Sequence, residues 1–426
     1  MRRWKANDTM KIIHTADWRL GNLFYGHDRT REYELFFEWL AAEAQEREAG
    51  TIIVGGSVFD CGEPSAEAIG LFCRGIMGLK GGGAKIVVTG GCRDSGARLE
   101  SLRELMDAMG VEVRGRLKRD AAGGVSAADL FVPIEADEEG TPKTVVLAVP
   151  CLRGELALEN GNEARTVGTF INGLLRAGRE RWGNECRYVI VAEGGEVMET
   201  AMKAIGGEPD YVALGGGKGG RVGDRLNVWR AGMALPRSFE DGTEGAGANL
   251  VTIEGGKTRV ERLKYEAPCK LISIGGGEDE DVDYVCRLIN KLPAKGGSGL
   301  RLPWMKGNAT DGEPEAYVEV RVARRYWGDD TMARIERALA GRAVRLCRIV
   351  RGSERTNAEK EQPQNGHGKM EIAQVAREYY REKRGRLMDD DMARLFAEAK
   401  REAQAEERTT TEKGTTTTEK EEGDEN

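Results

Sequence analysis

The residues that could do chemistry in this sequence stand directly after short apolar runs. Asp17 and Arg19 follow one such run, and Asp60, Asp94 and Lys218 follow later ones. The later runs break at glycines followed by polar residues, which is typical of a buried strand that opens into a tight loop. Carboxylates or bases gathered at one sheet edge could hold cations or phosphate. Five such strand ends predict one shared site: residues 11–21, 51–60, 85–94, 188–196 and 211–218.

The order and spacing of these strand ends resemble those of the SbcD nuclease subunits and, more widely, of the calcineurin-like metallophosphoesterases. In that family the strand ends read D-x-H, G-D-x-x-D, G-N-H-D, G-H and G-H-x-H, and they hold two divalent metals, Mn²⁺ or Mg²⁺. Two metals that activate water and clamp a phosphodiester need carboxylate and imidazole ligands from several strand ends. The resemblance implies an α/β fold: a two-sheet sandwich flanked by helices, a small α/β capping domain and a C-terminal helical pair.

The ligand positions of this family are largely lost in the present sequence. The matching positions are Asp17, Arg19, Ser57, Cys92, Arg93, Gly195, Gly216 and Lys218. Only Asp17 keeps a metal ligand, and one carboxylate cannot hold two divalent ions beside three basic side chains. We therefore expect no metal cofactor, no catalytic residue and a catalytically silent SbcD-like protein.

The basic substitutions suggest what replaced the metals. Asp17 with Arg19, Arg93 and Lys218 gives a formal charge of +2 at the strand ends, the same sum as two carboxylates with two divalent cations. The hypothesis is that these fixed cations bind DNA phosphates without activating water. The alternative is drift after loss of activity, with the side chains merely in solvent.

An active nuclease with a rearranged metal site is the competing interpretation. The carboxylates available for it are Asp17, Asp60, Asp94, Glu193 and Glu196. For Asp60 and Asp94 we favour a structural role, in which they accept hydrogen bonds from loop N–H groups. We interpret His14, inside the first strand, as a core histidine and not as a base.

The hydrophobic periodicity and the resemblance together give the domain organisation. Apolar residues recur at helical spacing between the strands, for example over residues 28–48, 66–80 and 98–109. The predicted units are a disordered extension (1–10), a degenerate phosphoesterase domain (11–267), a small α/β capping domain (268–352), a linker (353–369), a helix pair (370–405) and a disordered tail (406–426).

The composition excludes several protein classes. A net charge of −7 argues against a uniformly basic nucleic-acid coat, although a local basic groove is compatible with it. Eight cysteines without a C-x-x-C pair predict reduced thiols in a cytoplasmic protein, and no zinc site is expected. Because no run of about 18 apolar residues occurs, we expect a soluble protein without membrane contact.

The predicted helix pair points to a protein partner. Its apolar stripes are formed by Ile372, Val375 and Tyr379, and by Met392, Leu395 and Phe396. Two helices beyond a linker have too little core to be stable alone, so they need another surface, which could also be their own chain. The resemblance implies that this surface is an SbcC-like coiled-coil ATPase. It also implies a homodimer or heterodimer, and DNA as a further partner.

Overall fold

A computed structural model of the chain describes residues 9–120, 123–156, 162–203, 205, 209–225, 227–242, 245–277, 279–295 and 315–352. The strands in this part are β1 (Met10–Thr15), β2 (Thr51–Gly55), β3 (Lys85–Thr89), β4 (Val111–Arg114), β5 (Phe131–Ala136), β6 (Pro142–Ala148), β7 (Arg187–Glu193), β8 (Tyr211–Gly215), β9 (Gly220–Arg221), β10 (Val228–Arg230), β11 (Gly247–Glu254), β12 (Lys257–Lys264), β13 (Leu271–Gly275), β14 (Ala316–Ala323) and β15 (Val344–Gly352). The helices are α1 (Thr30–Glu46), α2 (Ala66–Lys80), α3 (Gly96–Glu100), α4 (Arg103–Ala108), α5 (Ala127–Leu130), α6 (Glu163–Trp182), α7 (Glu196–Lys203), α8 (Val282–Ile289) and α9 (Thr331–Leu339).

Two six-stranded sheets pack against each other through β-branched and aromatic side chains. The first has the order β12-β11-β1-β2-β3-β4 and the second the order β5-β6-β7-β8-β10-β9. Strands β1 to β4 are parallel, as are β6, β7, β8 and β10. Ile12, Ile53 and Val87 of the first sheet share a buried cluster with Val189 and Tyr211 of the second. Parallel strands buried on both faces need such continuous apolar sequences.

Helices cover the outer face of each sheet. Phe36 of α1 and Phe72 of α2 are buried in the core of the first sheet, while Ile171 of α6 and Met202 of α7 are buried on the second. Helix α2 begins where Ser65 Oγ accepts a hydrogen bond from the Ala68 amide at 3.2 Å. The structure confirms the predicted fold class, a two-sheet α/β sandwich flanked by helices.

A third, three-stranded parallel sheet of β13, β14 and β15 carries α8 and α9. Its contact with the larger sheets includes a buried polar pair: Tyr317 Oη of β14 donates a hydrogen bond to Glu32 Oε1 of α1 at 2.7 Å. Glu32 also forms a buried ion pair with Arg29 at 2.9 Å. Removing either member would leave a buried charge unpaired, so these contacts hold the third sheet in one position.

One predicted helix is divided in the structure, and several short elements were not predicted. The helix predicted over residues 98–109 is two helices, α3 and α4, with a break at Ser101 and Leu102. Ser101 Oγ donates a hydrogen bond to the Arg98 carbonyl at 2.7 Å, a local contact that competes with helical bonding. Strands β4, β5 and β9 and helices α5 and α7 were not predicted.

No helix within the described ranges is long and apolar enough to cross a bilayer. The predicted extension, linker, tail and helix pair, with Ile372, Val375, Tyr379, Met392, Leu395 and Phe396, lie outside the described residues, apart from residues 9 and 10. The domain boundaries therefore stay predictions.

Candidate functional site

The five predicted strand ends meet at one edge of the two sheets, and glycine makes this approach sterically feasible. A Cβ added to Gly215 at the end of β8 would lie 1.7 Å from the Gly55 carbonyl oxygen at the end of β2. A Cβ on Gly91, after β3, would lie 2.2 Å from the Ser57 amide nitrogen. Backbones at this separation leave no space for a side chain. The strand ends are therefore brought together as the sequence predicted.

Three residues at this edge hold the left-handed backbone conformation. The φ angles are 54° for Asp17, 51° for Arg19 and 49° for Ser57, although none of them is glycine. The Asp17 amide donates to the Gly56 carbonyl at 3.1 Å and the Arg19 amide to the Ser57 carbonyl at 3.0 Å, which fixes the first loop against the second. Strained non-glycine residues of this kind concentrate at functional sites.

The Asp17 carboxylate is buried between two guanidinium groups. Arg19 Nε donates to Asp17 Oδ1 at 2.8 Å, and Arg237 Nη1 lies 3.4 Å from Asp17 Oδ2. The Asp17 side chain is only 1% exposed, so little water competes for it. Sequence reasoning missed Arg237, which lies in the loop between β10 and β11. The only signal was a basic residue in a segment that precedes the last two strands of the first sheet.

Arg19 is also held from its other side. Arg19 Nη1 lies 3.9 Å from Asp60 Oδ1, and Asp60 Oδ2 accepts a hydrogen bond from Asn22 Nδ2 at 3.2 Å. Asp60 thus accepts a side-chain amide and pairs with a base, where the sequence prediction had it accept a loop N–H. The positive charge of Arg19 is largely compensated within the protein.

Asp94 has the structural role predicted for it. Its carboxylate accepts hydrogen bonds from the amides of Gly91 at 2.7 Å, Val58 at 3.1 Å and Phe59 at 2.8 Å, which joins the β2 and β3 loops. Burial raises the pKa of Asp94 to about 6, against these N–H donors, which favour the charged form. His14 is likewise the core histidine we expected: it is fully buried, and Nδ1 lies 2.8 Å from Tyr211 Oη.

Glu193 at the end of β7 connects the second sheet to the first. It accepts hydrogen bonds from Ser57 Oγ at 2.7 Å and from the Cys92 amide. Beside it the structure corrects the expectation of reduced thiols throughout. Cys92 and Cys151 form a disulfide with a Cα–Cα distance of 5.2 Å. The sequence could not show this pairing because the two cysteines lie 59 positions apart.

Arg93 and Lys218 are the accessible cations of the predicted set. Both are exposed, and neither forms an ion pair or hydrogen bond with a described residue. Gly195 and Gly216 have φ angles of 152° and 73°. At Gly195 an added Cβ would meet nothing within 4 Å, so open space stands where the family has a histidine.

The charge balance at the strand ends differs from the sequence hypothesis. Counting Arg237 with the predicted cations, and Asp60, Asp94 and Glu193 with Asp17, gives four bases and four acids, a formal sum of zero. The cations are unevenly distributed, because Arg19 and Arg237 are paired with Asp17 while Arg93 and Lys218 face solvent. Arg93 and Lys218 are therefore the cations of this set whose charge is accessible from solvent.

These residues do not fit a pair of divalent metals. The one family ligand that remains, Asp17, is already neutralised by two guanidinium groups that would repel a divalent ion. Ser57, Gly195, Gly216 and Lys218 supply neither carboxylate nor imidazole. Over the described ranges, the carboxylates Asp17, Asp60, Asp94, Glu193 and Glu196 do not come together as a group of three ligands.

Sequence comparison identifies relatives of the chain. A family described as "Type 5 capsule protein repressor C-terminal domain" (SbcD_C) matches residues 282–384. The D subunit of the nuclease SbcCD from Escherichia coli (strain K12) is 28% identical over 284 residues, which is 60% of this chain and 68% of the relative. The protein of the same name from Rhodobacter capsulatus is 34% identical over 172 residues, 39% of this chain and 42% of the relative.

A third relative of the same name, from Bacillus subtilis (strain 168), is 32% identical over 107 residues, 25% of this chain and 27% of the relative. A crystal structure of the protein TT1561 from Thermus thermophilus has a TM-score of 0.32 at 12% identity and covers 60% of this chain and 99% of that chain. We draw no conclusion from so distant a structural similarity.

Proposed function

Because the chain is an SbcD-like protein of a nuclease family, we propose that it is a subunit without two-metal hydrolysis. It would act as a scaffold or regulator of an SbcC-like ATPase in DNA double-strand-break or end processing. The relatives are each named as one subunit of the nuclease SbcCD, which supports a partner for this chain as well.

The observation that carries this proposal is the arrangement around Asp17. Arg19 donates a hydrogen bond to one oxygen of the carboxylate that would have to hold a metal at 2.8 Å, and Arg237 Nη1 lies 3.4 Å from the other oxygen, which accepts no hydrogen bond from the described residues. A divalent cation at Asp17 would have to displace both guanidinium groups or lie next to them, and Coulomb repulsion opposes the second arrangement strongly at low dielectric. Without a bound metal, water at this edge has no Lewis acid to lower its pKa.

A nuclease assay with metal analysis tests the loss of hydrolysis. The purified chain, incubated with Mn²⁺ and linear or hairpin duplex DNA, should show no cleavage above that of its Asp17→Asn variant, and should retain no manganese or magnesium after dialysis. The Escherichia coli relative serves as the positive control. Metal-dependent cleavage that Asp17→Asn abolishes would instead support the competing function, an active nuclease with a rearranged site.

DNA binding is the second part of the proposal. We expect the more exposed cations to contribute more to DNA affinity. Arg93 and Lys218 are free to contact phosphate, whereas Arg19 is 16% exposed and held by Asp17 and Asp60. The Arg guanidinium can donate two parallel hydrogen bonds to a phosphate, and the Lys ammonium is a compact positive charge. Both groups therefore bind phosphate oxygens well. We expect Arg19 to contribute less to affinity than the other two cations.

The salt dependence of DNA affinity measures these contacts. For the Arg93→Ser/Lys218→Ser variant we expect weaker binding and a slope of log K against log salt that is shallower by about 1.4 to 1.8, the value for two lost phosphate contacts. The matched control is Lys257→Ser/Arg259→Ser, which removes the same charge from two residues on β12, at the opposite edge of the first sheet. Equal effects of the two variants would contradict a phosphate site at the strand ends.

Partner binding is tested separately. Deleting residues 370–405 should abolish co-purification with the cell's SbcC-like ATPase while DNA affinity is retained. The family match ends at residue 384, so it covers the first predicted helix and not the second. Continued co-purification would contradict docking through this helix pair.

Self-association is proposed through the helices of the first sheet. Met77 on α2 and Leu105 on α4 are 61% and 59% exposed, which supports an apolar contact there. Light scattering should show a dimer that the Met77→Glu/Leu105→Glu variant dissociates. A monomeric parent chain would contradict the homodimer and leave a heterodimer to be tested by co-expression.

A further inference from the structure

A second cluster of potential ligands lies beside the site described above. Cys92 follows β3, Cys151 follows β6 and Glu193 ends β7, and one ligand atom from each lies within 4.8 Å of the other two. Over the described residues this is the group of three Cys, His, Asp or Glu side chains that could hold a metal ion. The cluster uses neither Asp17 nor the cations proposed to bind DNA.

The backbone positions of the three ligands are fixed. The Cys151 amide donates to the Gly90 carbonyl at 2.8 Å, which ties the β6 loop to the β3 loop. Glu193 pairs with Gly215 in the register of β7 and β8. The Glu193 carboxylate is oriented by Ser57 Oγ at 2.7 Å and by the Cys92 amide, and its remaining lone pairs are available to a cation.

A cavity of about 270 Å³ opens at the cluster. Cys92, Cys151 and Glu193 line it together with Gly195 and Arg153. This volume has room for an ion and a water molecule, and an added Gly195 Cβ would meet nothing within 4 Å beyond its chain neighbours. Cys92 is exposed and Cys151 half-buried, which gives both side chains access to solvent reductants and oxidants.

We propose that Cys92, Cys151 and Glu193 form a redox-controlled zinc site. Two thiolates and a carboxylate are ligands that Zn²⁺ accepts, and three protein ligands leave a fourth position for water. Mn²⁺ and Mg²⁺ prefer oxygen ligands, so this site selects a different metal from that of the family's nucleases. Two thiolates, a carboxylate and Zn²⁺ sum to a formal charge of −1, which Arg153 in the cavity wall can offset.

The disulfide and the zinc site exclude each other. In the structure the two sulfurs are bonded to one another, so neither is a thiolate. Tetrahedral ligation with Zn–S bonds of about 2.3 Å requires the sulfurs to be about 3.8 Å apart, so metal binding needs the reduced pair. The chain would thus have an oxidised state without zinc and a reduced state with it.

The interconversion balances in atoms and electrons. A dithiol reductant transfers two electrons and two protons to the Cys92–Cys151 disulfide and becomes a disulfide itself. Zn²⁺ then displaces the two thiol protons and binds two thiolates. In the reverse direction hydrogen peroxide takes two electrons from the thiolates and, with two protons, yields two molecules of water, a disulfide and free Zn²⁺.

Zinc binding by the full chain tests the proposal. After reduction with a dithiol and its removal without air, the chain is loaded with Zn²⁺, dialysed, and assayed for zinc with a chromogenic chelator. We expect about one zinc per chain, its release by peroxide together with the loss of two titratable thiols, and a thiolate-to-metal charge-transfer band when Co²⁺ replaces zinc. The Cys92→Ser and Cys151→Ser variants should lose the zinc and the band, and Glu193→Gln should bind at least about tenfold more weakly.

The matched control removes two thiols elsewhere. Cys61→Ser/Cys286→Ser changes an exposed and a half-buried cysteine that are not paired with each other, and it should keep both the zinc and its release. Circular dichroism checks that each variant is folded. Absence of zinc from the reduced parent chain, zinc retained by the Cys92→Ser/Cys151→Ser variant, or equal zinc binding by the oxidised chain would each overturn the proposal. Loss of this site would leave the proposed DNA scaffold role intact.

Discussion

His14 makes the stability of the first strand depend on pH, and this dependence can be calculated. The imidazole is fully buried on β1, three residues before Asp17, with Tyr211 Oη at 2.8 Å from Nδ1. Burial, and then the charge of Arg262, lowers the pKa of His14 from 6.5 to about 3. The folded state therefore keeps a neutral imidazole at pH values where the unfolded chain binds a proton.

The direction and size of the change in unfolding free energy with pH follow from proton linkage. Because the folded-state pKa lies below the unfolded value, the contribution of His14 to stability is fully present above pH 6.5 and is lost as the pH falls towards 3. The free energy of unfolding should decrease through this one group by about 1.4 kcal/mol at pH 5.5, and by about 2.7 kcal/mol at pH 4.5.

Urea unfolding of the parent chain and of His14→Asn isolates the contribution of His14, because all other groups titrate in both proteins and cancel in the difference. Asn keeps a polar group near the position of Nδ1 and does not titrate. The difference in unfolding free energy between parent and variant should shrink by about 1.4 kcal/mol between about pH 7.5 and pH 5.5. A difference that stays constant, or grows, as the pH falls would refute the buried, neutral imidazole.

Two further predictions concern packing and loop geometry. Gly75→Ala places a Cβ 2.6 Å from the Phe37 ring between α2 and α1, and should lower the unfolding free energy by about 1 to 3 kcal/mol. On the same helix, the Cβ of Gly78→Ala meets nothing within 4 Å, so this variant should raise the unfolding free energy by about 0.5 to 1 kcal/mol. Equal shifts of the melting temperature in the two variants would contradict the close contact between Gly75 and Phe37. Asp94→Ala leaves three loop amides without their acceptor and should cost about 3 kcal/mol, read from the denaturation midpoint; a neutral variant would show that water replaces the carboxylate.

The strand ends could be predicted from sequence because their signals are local. An apolar run followed by glycine fixes both the strand and the place where its loop begins, so Asp17, Ser57 and Cys92 were placed at one edge correctly. The hydrophobic spacing of α2 gave its bounds as the structure has them, Ala66–Lys80. These features depend on residues that are close together in the chain.

The contacts that decide the chemistry could not be predicted, because they depend on distant residues. Arg237 reaches Asp17 across 220 positions, and no local pattern separates it from other surface arginines. Eight cysteines allow 105 complete pairings, so nothing in the sequence selected Cys92 with Cys151. The break between α3 and α4 depends on one hydroxyl group, because Ser101 Oγ donates a hydrogen bond to a backbone carbonyl.

We propose that two guanidinium groups, and not two divalent metals, neutralise Asp17. Crystals of the full chain soaked in MnCl₂ and measured at the manganese absorption edge test it directly, with a crystal of the Escherichia coli relative soaked in the same way as control. We predict no anomalous density within coordination distance of Asp17, with the Arg19 and Arg237 side chains in contact with its carboxylate. Two anomalous manganese peaks bridged by the Asp17 carboxylate, with the Arg19 and Arg237 side chains displaced, would contradict this proposal.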